Sequence, residues 1–216
     1  MKWLSLECST PQASLVLMED ETCRWTREWE AERARHEHMA EIIDRARRDA
    51  GWAWEELEWM VIGRGPGHYA GLRAGLLTVQ ALAAPGRIPV TALSGIDAAA
   101  RSRMREKNVP SVLVLGDARR QSLWWGILHA DTLDHQPTSW SVIKRESLTA
   151  ILEGGHPVAT PNPELIAACM DVRPGTSILE PALAPHALDN ARLAWVRRTL
   201  PVEPEPLTPL YLHAAV

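Results

Sequence analysis

The segment Gly63-Arg64-Gly65-Pro66-Gly67-His68-Tyr69-Ala70-Gly71-Leu72-Arg73-Ala74-Gly75 constrains this chain more than any other. The apolar run Trp59–Ile62 leads into it, and a helical stretch carries on to Ala84 before Pro85-Gly86. A short strand that turns at once into a helix is a building unit of layered α/β folds. Glycines at 63, 65 and 67 permit positive φ and close helix packing in such a turn. The same geometry can expose backbone N–H groups to an anion. No Gly-Lys-Ser/Thr follows, so it is not a Walker loop. His68 stands where a dinucleotide fingerprint needs its third glycine. On the residues alone, a packed turn outweighs a phosphate cradle.

The helix predicted from Gly71 to Ala84 is apolar almost all round, with Arg73, Thr78 and Gln80 its clear polar positions. A helix of that kind is covered on more than one side. Gly71 and Gly75, one turn apart, would let another helix approach closely. An earlier helix is predicted over Ala34–Ala50, because Met39, Ile42, Ile43, Ala46 and Ala50 recur on one face and Gly51 ends it.

Trp3–Glu7 and Ala13–Met18 read as strands joined by the turn Cys8-Ser9-Thr10-Pro11-Gln12. Ile88–Ala92 gives a further strand and Gly95–Met104 a helix. The chain then restarts. Ser111–Leu115, an acid-led turn Asp117-Ala118-Arg119-Arg120-Gln121, and Ser122–His129 repeat the opening layout, with Glu7 and Asp117 in corresponding places. Two related lobes follow from this, the first ending near Asn108. Beyond them, Ser147–Leu152 and Pro163–Cys169 read as helices around a strand at Pro157–Thr160, and Ala187–Arg198 as a last helix. Pro201–Pro209 carries four prolines and must be extended. Leu210-Tyr211-Leu212 is apolar enough to dock back onto the body.

With 216 residues, 46% hydrophobic and 23% charged, the chain can bury a sizeable core. A net charge of −4 steers nothing globally to nucleic acid, and the short arginine clusters read as solvated faces. Three cysteines without a CxxC pair fit reduced thiols in the cytoplasm. The N-terminus begins like a signal peptide, but Glu7 interrupts its apolar run. No window reaches the length of a membrane span. Ten Trp stand beside two Tyr and no Phe; they do not alternate with basic residues, so core packing is favoured over base stacking.

Candidate chemistry is sparse. A carboxylate ending a strand ahead of Ser9-Thr10 could hold magnesium and phosphate. In the second hairpin, Arg119 stands where a phosphate-hugging turn prefers glycine, though arginine can itself pair with an anion. His36 and His38 lie two apart, whereas two ligands on one helix face need a spacing of three or four. No His-Glu-x-x-His occurs, and no metal or cofactor is expected. Ser94-Gly95 lacks a nucleophile-elbow pattern, and Cys8 reads as a packed small residue.

The glycine segment resembles the Gly-Arg-Gly-Pro-Gly-Ser-Phe-Thr-Gly-Val-Arg-Ile-Gly signature of the TsaB family, bacterial proteins of threonylcarbamoyladenosine synthesis in tRNA. Leu4–Thr10 resembles that family's opening strand and turn, and His38 resembles the histidine leading its first helix. Val114–Trp125 is similar to its Asp-Ala-Arg hairpin, and Pro209–Leu212 to its close. The resemblance implies an α/β, two-lobed actin-like (ribonuclease H-like) fold with a truncated second lobe. The expected division is a 1–108 lobe, a smaller 109–200 lobe and a 201–216 tail packing back on the body.

The resemblance also implies a non-catalytic relative of the TsaD subunit, which holds the metal and transfers the threonylcarbamoyl group. Pairing would run through His38, Met39, Ile42, Gly71, Leu72, Ala74, Gly75 and Thr78. A TsaE-like ATPase joins the pair, a homodimer forms when the partner is absent, and tRNA is met only through the complex, with no membrane involved. Glu7, Ser9, Thr10, Arg64, Gly65, Gly67, Asp117 and Arg119 are the nucleotide or anion contacts to examine. Glu7, His68, Ala70 and His213 depart from the family's aspartate, serine, threonine and arginine, and the lost hydroxyls weaken a phosphate role. The alternatives are an actin-like phosphotransferase using Glu7 and Asp117 around magnesium-ATP, and a metallopeptidase.

Overall fold

A computed structural model describes residues 1–30, 38–130 and 136–212 of the chain. By internal contacts it divides into two units, Met1–Ala98 with Pro185–Tyr211, and Ala99–Ala184 with Leu212. The first unit is therefore closed by a helix from the far end of the sequence. The sequence boundary near Asn108 groups that helix with the second lobe instead.

The first unit contains β1 (Lys2–Glu7), β2 (Gln12–Glu19), β3 (Thr22–Glu30), α1 (Met39–Asp49), β4 (Leu57–Gly63), α2 (Tyr69–Ala83) and β5 (Val90–Leu93). The helix α3 (Gly95–Lys107) begins in it, and α6 (Ala187–Arg197) completes it. The sheet order is β3-β2-β1-β4-β5. β1 pairs antiparallel with β2 and parallel with β4, placing Leu4 beside Leu17 and Met60, and Leu6 beside Leu15 and Ile62.

These leucines face α1 and α2 and pack with Ile42, Ile43, Ala46, Leu76 and Val79. The alternate residues Trp3, Val16, Met18, Trp59 and Val61 pack with Ala187, Ala191, Leu193 and Ala194 of α6. Both sheet faces are covered, which is why β4 reads as a continuous apolar run without alternation. The tryptophan excess has a packing use here. Trp3 lies between Trp59 at 4.8 Å and Trp195 at 5.8 Å, centroid to centroid.

The second unit holds the rest of α3, β6 (Ser111–Asp117), β7 (Ser122–His129), β8 (Ser141–Lys144), α4 (Leu148–Leu152), β9 (Val158–Ala159) and α5 (Pro163–Val172). Its sheet order is β8-β7-β6-β9. Leu113, Leu115 and Leu123 pack under α4 and α5 against Leu148, Leu165 and Cys169. Each sheet has a central strand with a hairpin partner, a third antiparallel strand beyond it, and a parallel strand on the other side. Glu7 and Asp117 end the two central strands. The repeat read from the sequence is thus present as topology.

Two strands absent from the sequence reading are β3 and β8. In β3 the inward Trp25 and Trp29 alternate with charged and polar residues, and an edge strand of that kind carries little apolar signal. The positions 34–37 of the predicted first helix and His213 lie outside the described residues, as does His36. His38 caps α1, and the Glu41 carboxylate accepts its N–H at 3.3 Å. No helix among the described residues is long and apolar enough to cross a membrane.

Candidate functional site: the glycine loop and the second helix

Every glycine of the loop is used by the chain's own atoms. A Cβ at Gly63 would lie 1.9 Å from Oε2 of Glu7, and one at Gly95 would lie 2.1 Å from the same oxygen. The Glu7 carboxylate is fully buried between them. Its Oε1 accepts the Ser9 N–H at 2.7 Å, and its Oε2 accepts the Asn190 amide at 2.8 Å. A buried carboxylate needs such donors, because leaving one without them is costly. A Cβ at Gly67 would meet the Ser9 carbonyl at 2.0 Å, and one at Gly71 the Cys8 carbonyl at 2.3 Å. His68 donates its N–H to that Ser9 carbonyl at 2.6 Å. Gly65 adopts φ +99°, a conformation that only glycine takes readily. The β1–β2 turn therefore lies directly on the loop and on the first turn of α2.

Arg64 meets a carboxylate of its own chain. Its guanidinium pairs with Glu205 at 3.3 Å and donates to the Thr208 carbonyl at 2.9 Å, while Leu210 donates to the Arg64 carbonyl at 2.7 Å. Glu205 also accepts from the Ser94 N–H and pairs with Arg197, which reaches Asp97 at 3.1 Å. The proline-rich tail is thus fastened to the glycine loop by a chain of charges.

Burial raises the Glu205 carboxyl above its ordinary value of 4.5, and the neighbouring Asp97 adds to this. Arg197, Arg64 and the Ser94 N–H pull the other way. Between the ordinary and the raised value, the folded chain keeps a proton that the unfolded chain has lost. The stability owed to this group is therefore greatest at the acid end and declines as pH rises through that window. Urea unfolding at steps from about pH 4 upward should show that decline. Glu205→Gln should remove it.

The other expected anion contacts are dispersed. Ser9 is buried, and the Thr10 hydroxyl donates to the Gln12 carbonyl at 2.6 Å. Asp117 is exposed, with its N–H held by Asn162 at 3.0 Å, and Arg119 is exposed with φ +63°. Burial, with the Glu7 charge adding, pushes the Cys8 thiol well above its ordinary value, so it is no thiolate nucleophile. Among the described residues no group of three or more His, Cys, Asp or Glu side chains could hold a metal.

The two faces of α2 differ sharply. Leu72, Gly75, Leu76, Val79 and Ala83 are buried against the sheet. Ala70, Arg73, Ala74, Leu77 and Ala81 are exposed, and Leu77 is 67% accessible. Of the residues expected to meet a partner, His38 and Ala74 are exposed; Met39, Gly71 and Thr78 are half-buried. Ile42, Leu72 and Gly75 are buried in the unit's own core. Ala70, Leu77 and Ala81, which the sequence reading did not name, fall with Ala74 at i, i+4, i+7 and i+11 and so share one face.

Gly75 lies on the buried side of α2. A Cβ there would lie 3.3 Å from Cδ1 of Ile62 and 3.4 Å from Cβ of Cys8. Gly75→Leu should therefore overpack the interior and cost roughly 1–3 kcal/mol of folding stability. Thermal unfolding reads that loss in the isolated protein.

At its start α2 is braced by a stack of Tyr69 on Tyr211, with ring centroids 5.5 Å apart. Arg73 lies over the Tyr69 ring at 4.8 Å and donates to its hydroxyl. A hollow of about 350 Å³ opens beside Leu77 and Leu207. A second, of about 490 Å³, opens beside Ala81, Leu82 and Trp54. The exposed face of α2 thus runs between two recesses.

The family model described as TsaD, tRNA N6-adenosine threonylcarbamoyltransferase, matches residues 29–144. A protein of Mycobacterium bovis is 30% identical over 124 residues, 56% of this chain and 56% of its own length. The tRNA threonylcarbamoyladenosine biosynthesis protein TsaB of Escherichia coli K12 is 25% identical over 151 residues, 68% of this chain and 64% of its own. The chain thus spans little more than half the length of the first of these relatives. The solved structure of YeaZ from Pseudomonas aeruginosa superposes with a TM-score of 0.74 at 26% identity, covering 98% of this chain and 99% of that one. A second Pseudomonas aeruginosa structure, described as similar to peptidase YEAZ, gives 0.75 at 25%. These matches establish the expected actin-like fold. With more than half of its length matched by the family model and its fold shared with YeaZ, the chain belongs to the TsaD family, among its TsaB members.

Proposed function

We propose that this protein is a non-catalytic subunit that activates a TsaD-like transferase in the threonylcarbamoylation of tRNA adenosine. The observation that carries this reading is the open face of α2, where Ala70, Ala74, Leu77 and Ala81 form an apolar stripe outside the chain's own core. Small residues around one exposed leucine let a second helix pack closely, and an apolar patch of this kind marks an interaction surface. A TsaD-like partner is supported by the family model's description and by the relatives' names in tRNA threonylcarbamoyladenosine biosynthesis. In this reading a TsaE-like ATPase joins the pair, a homodimer forms through the same face when the partner is absent, and the complex works in the cytoplasm.

A phosphotransferase would need Glu7 to offer oxygens to a magnesium ion. Both are occupied by the Ser9 N–H and the Asn190 amide, deep inside the first unit. The subunit reading is tested by mixing the protein with the TsaD-like protein of the same organism at micromolar concentration. Light scattering should report one species at the summed mass. Two folded proteins that stay apart would defeat it.

A further inference from the structure

The turn between β6 and β7 departs from ordinary hairpin chemistry. Arg119, Arg120 and Gln121 have φ of 63°, 49° and 57° in succession, and none is glycine. Left-handed backbone is unfavourable for L-residues, and runs of it are rare. The turn is held at its base, where Ala118 donates to the Ser122 carbonyl and Ser122 to the Arg119 carbonyl, both at 2.9 Å. The N–H groups of Arg119, Arg120 and Gln121 meet no protein acceptor among the described residues.

The neighbouring strand brings two more cations to the same end of the sheet. Lys144 is the register partner of Ser122, and Arg145 donates its N–H to the Gln121 carbonyl at 2.9 Å. Arg119, Arg120, Lys144 and Arg145 are all exposed. Among the described residues, none of their side chains forms an ion pair or a hydrogen bond, though the Arg145 charge acts on the Cys169 thiol. Other arginines of the chain are engaged: Arg47 with Asp44, Arg64 with Glu205, Arg197 with Asp97. Asp117 and Glu146 adjoin in sequence and Glu164 is linked to Asp117 through Asn162, so the four cations still outnumber the neighbouring carboxylates in a chain whose net charge is −4.

We propose that Arg119, Arg120, Lys144 and Arg145 form a contact surface for the phosphate backbone of RNA. Guanidinium forks and backbone N–H groups are the donors that phosphate oxygens accept, and such contacts position a nucleic acid without reading its bases. The turn itself exposes Arg119, Arg120 and Gln121 and offers no apolar centre, which a protein partner would require. The choice of RNA over another polyanion rests on the tRNA role proposed above, and it makes the tRNA contact direct.

The test is fluorescence anisotropy of a labelled, unmodified tRNA transcript titrated with the full chain between about 50 and 200 mM KCl. Each phosphate contact contributes about 0.7–0.9 to the slope of log affinity against log salt. Arg119→Gln/Arg120→Gln should lower that slope by about 1.5. Adding Lys144→Gln and Arg145→Gln should lower it by about 3, with affinity at about 100 mM down at least about tenfold. Thermal unfolding confirms that each variant folds, and the double variant serves if the quadruple does not.

Unchanged slopes overturn the proposal, as does a wild-type chain that fails to bind the transcript. Displacement of the transcript by ATP alone at equal charge would assign the cations to a nucleotide and also overturn it. So would variants that bind RNA normally but lose the TsaD-like partner. Light scattering of the pair is run on the same samples. Lost RNA binding with pairing intact, or the reverse, thus separates this inference from the subunit reading.

Discussion

Leu77→Glu should abolish pairing with the TsaD-like subunit at micromolar concentration while leaving the protein folded. Leu77 is 67% exposed on α2 and contributes little to its own core, so the substitution should change folding stability by no more than about 0.5 kcal/mol. At the interface the same change desolvates a carboxylate among Ala70, Ala74 and Ala81, and the cation one turn back, Arg73, is already engaged with Tyr69. Losing a central apolar anchor costs about 2–4 kcal/mol, which is a thirty- to several-hundred-fold weaker complex at roughly 1.4 kcal/mol per decade. The contrast with Gly75→Leu is diagnostic. That substitution lies one half-turn away on the same helix, yet it should lower the unfolding temperature of the isolated chain. Retained pairing in folded Leu77→Glu, measured by light scattering, would remove α2 from the interface.

Gly63→Ala should be strongly destabilising. The added carbon would occupy space 1.9 Å from Oε2 of Glu7. The carboxylate must then retreat from the Asn190 amide or from the Ser9 N–H, both inside a sealed pocket. Disrupting a buried, hydrogen-bonded charge costs roughly 3–5 kcal/mol. For a chain of this size that is a fall of about 6–20 °C in Tm. Glu7→Asp, which shortens the side chain by one methylene, gives up one of the two hydrogen bonds and should cost about 1–3 kcal/mol. It also opens the space that the methyl group of Gly63→Ala needs. The double variant should therefore be more stable than the sum of the two single losses, and this coupling is the signature of direct contact. Additive losses would place the Gly63 effect in the backbone rather than against Glu7.

These two substitutions mark the limits of what the sequence carried. The strand–glycine–helix junction was legible because β4, the loop and α2 each follow local rules of period, turn chemistry and helix termination. The repeat of hairpin and acid was legible for the same reason, since Glu7 and Asp117 end strands in equivalent register. The faces of α2 were not. A helix apolar on every side gives no moment from which to choose between Leu72, which is buried, and Leu77, which is not.

Nor did local pattern show the partner of Arg64. Glu205 stands 141 residues away and reaches it only because the tail runs antiparallel past Ala92. The enclosure of Glu7 was hidden likewise, depending on Asn190 from α6 and on the missing side chain at Gly95. Glycines that look like a phosphate loop prove to be glycines that make room for a carboxylate and for the carbonyls of Cys8 and Ser9.

The central claim, that the open face of α2 seats a second polypeptide, is tested most directly by placing a photo-crosslinking residue on it. With the probe at Ala74, irradiation of the chain mixed with its TsaD-like protein should yield a covalent heterodimer. The same probe at Glu153, exposed in the second unit, should yield none. Crosslinking from position 153 but not from position 74, with both proteins folded and associated, would contradict the account.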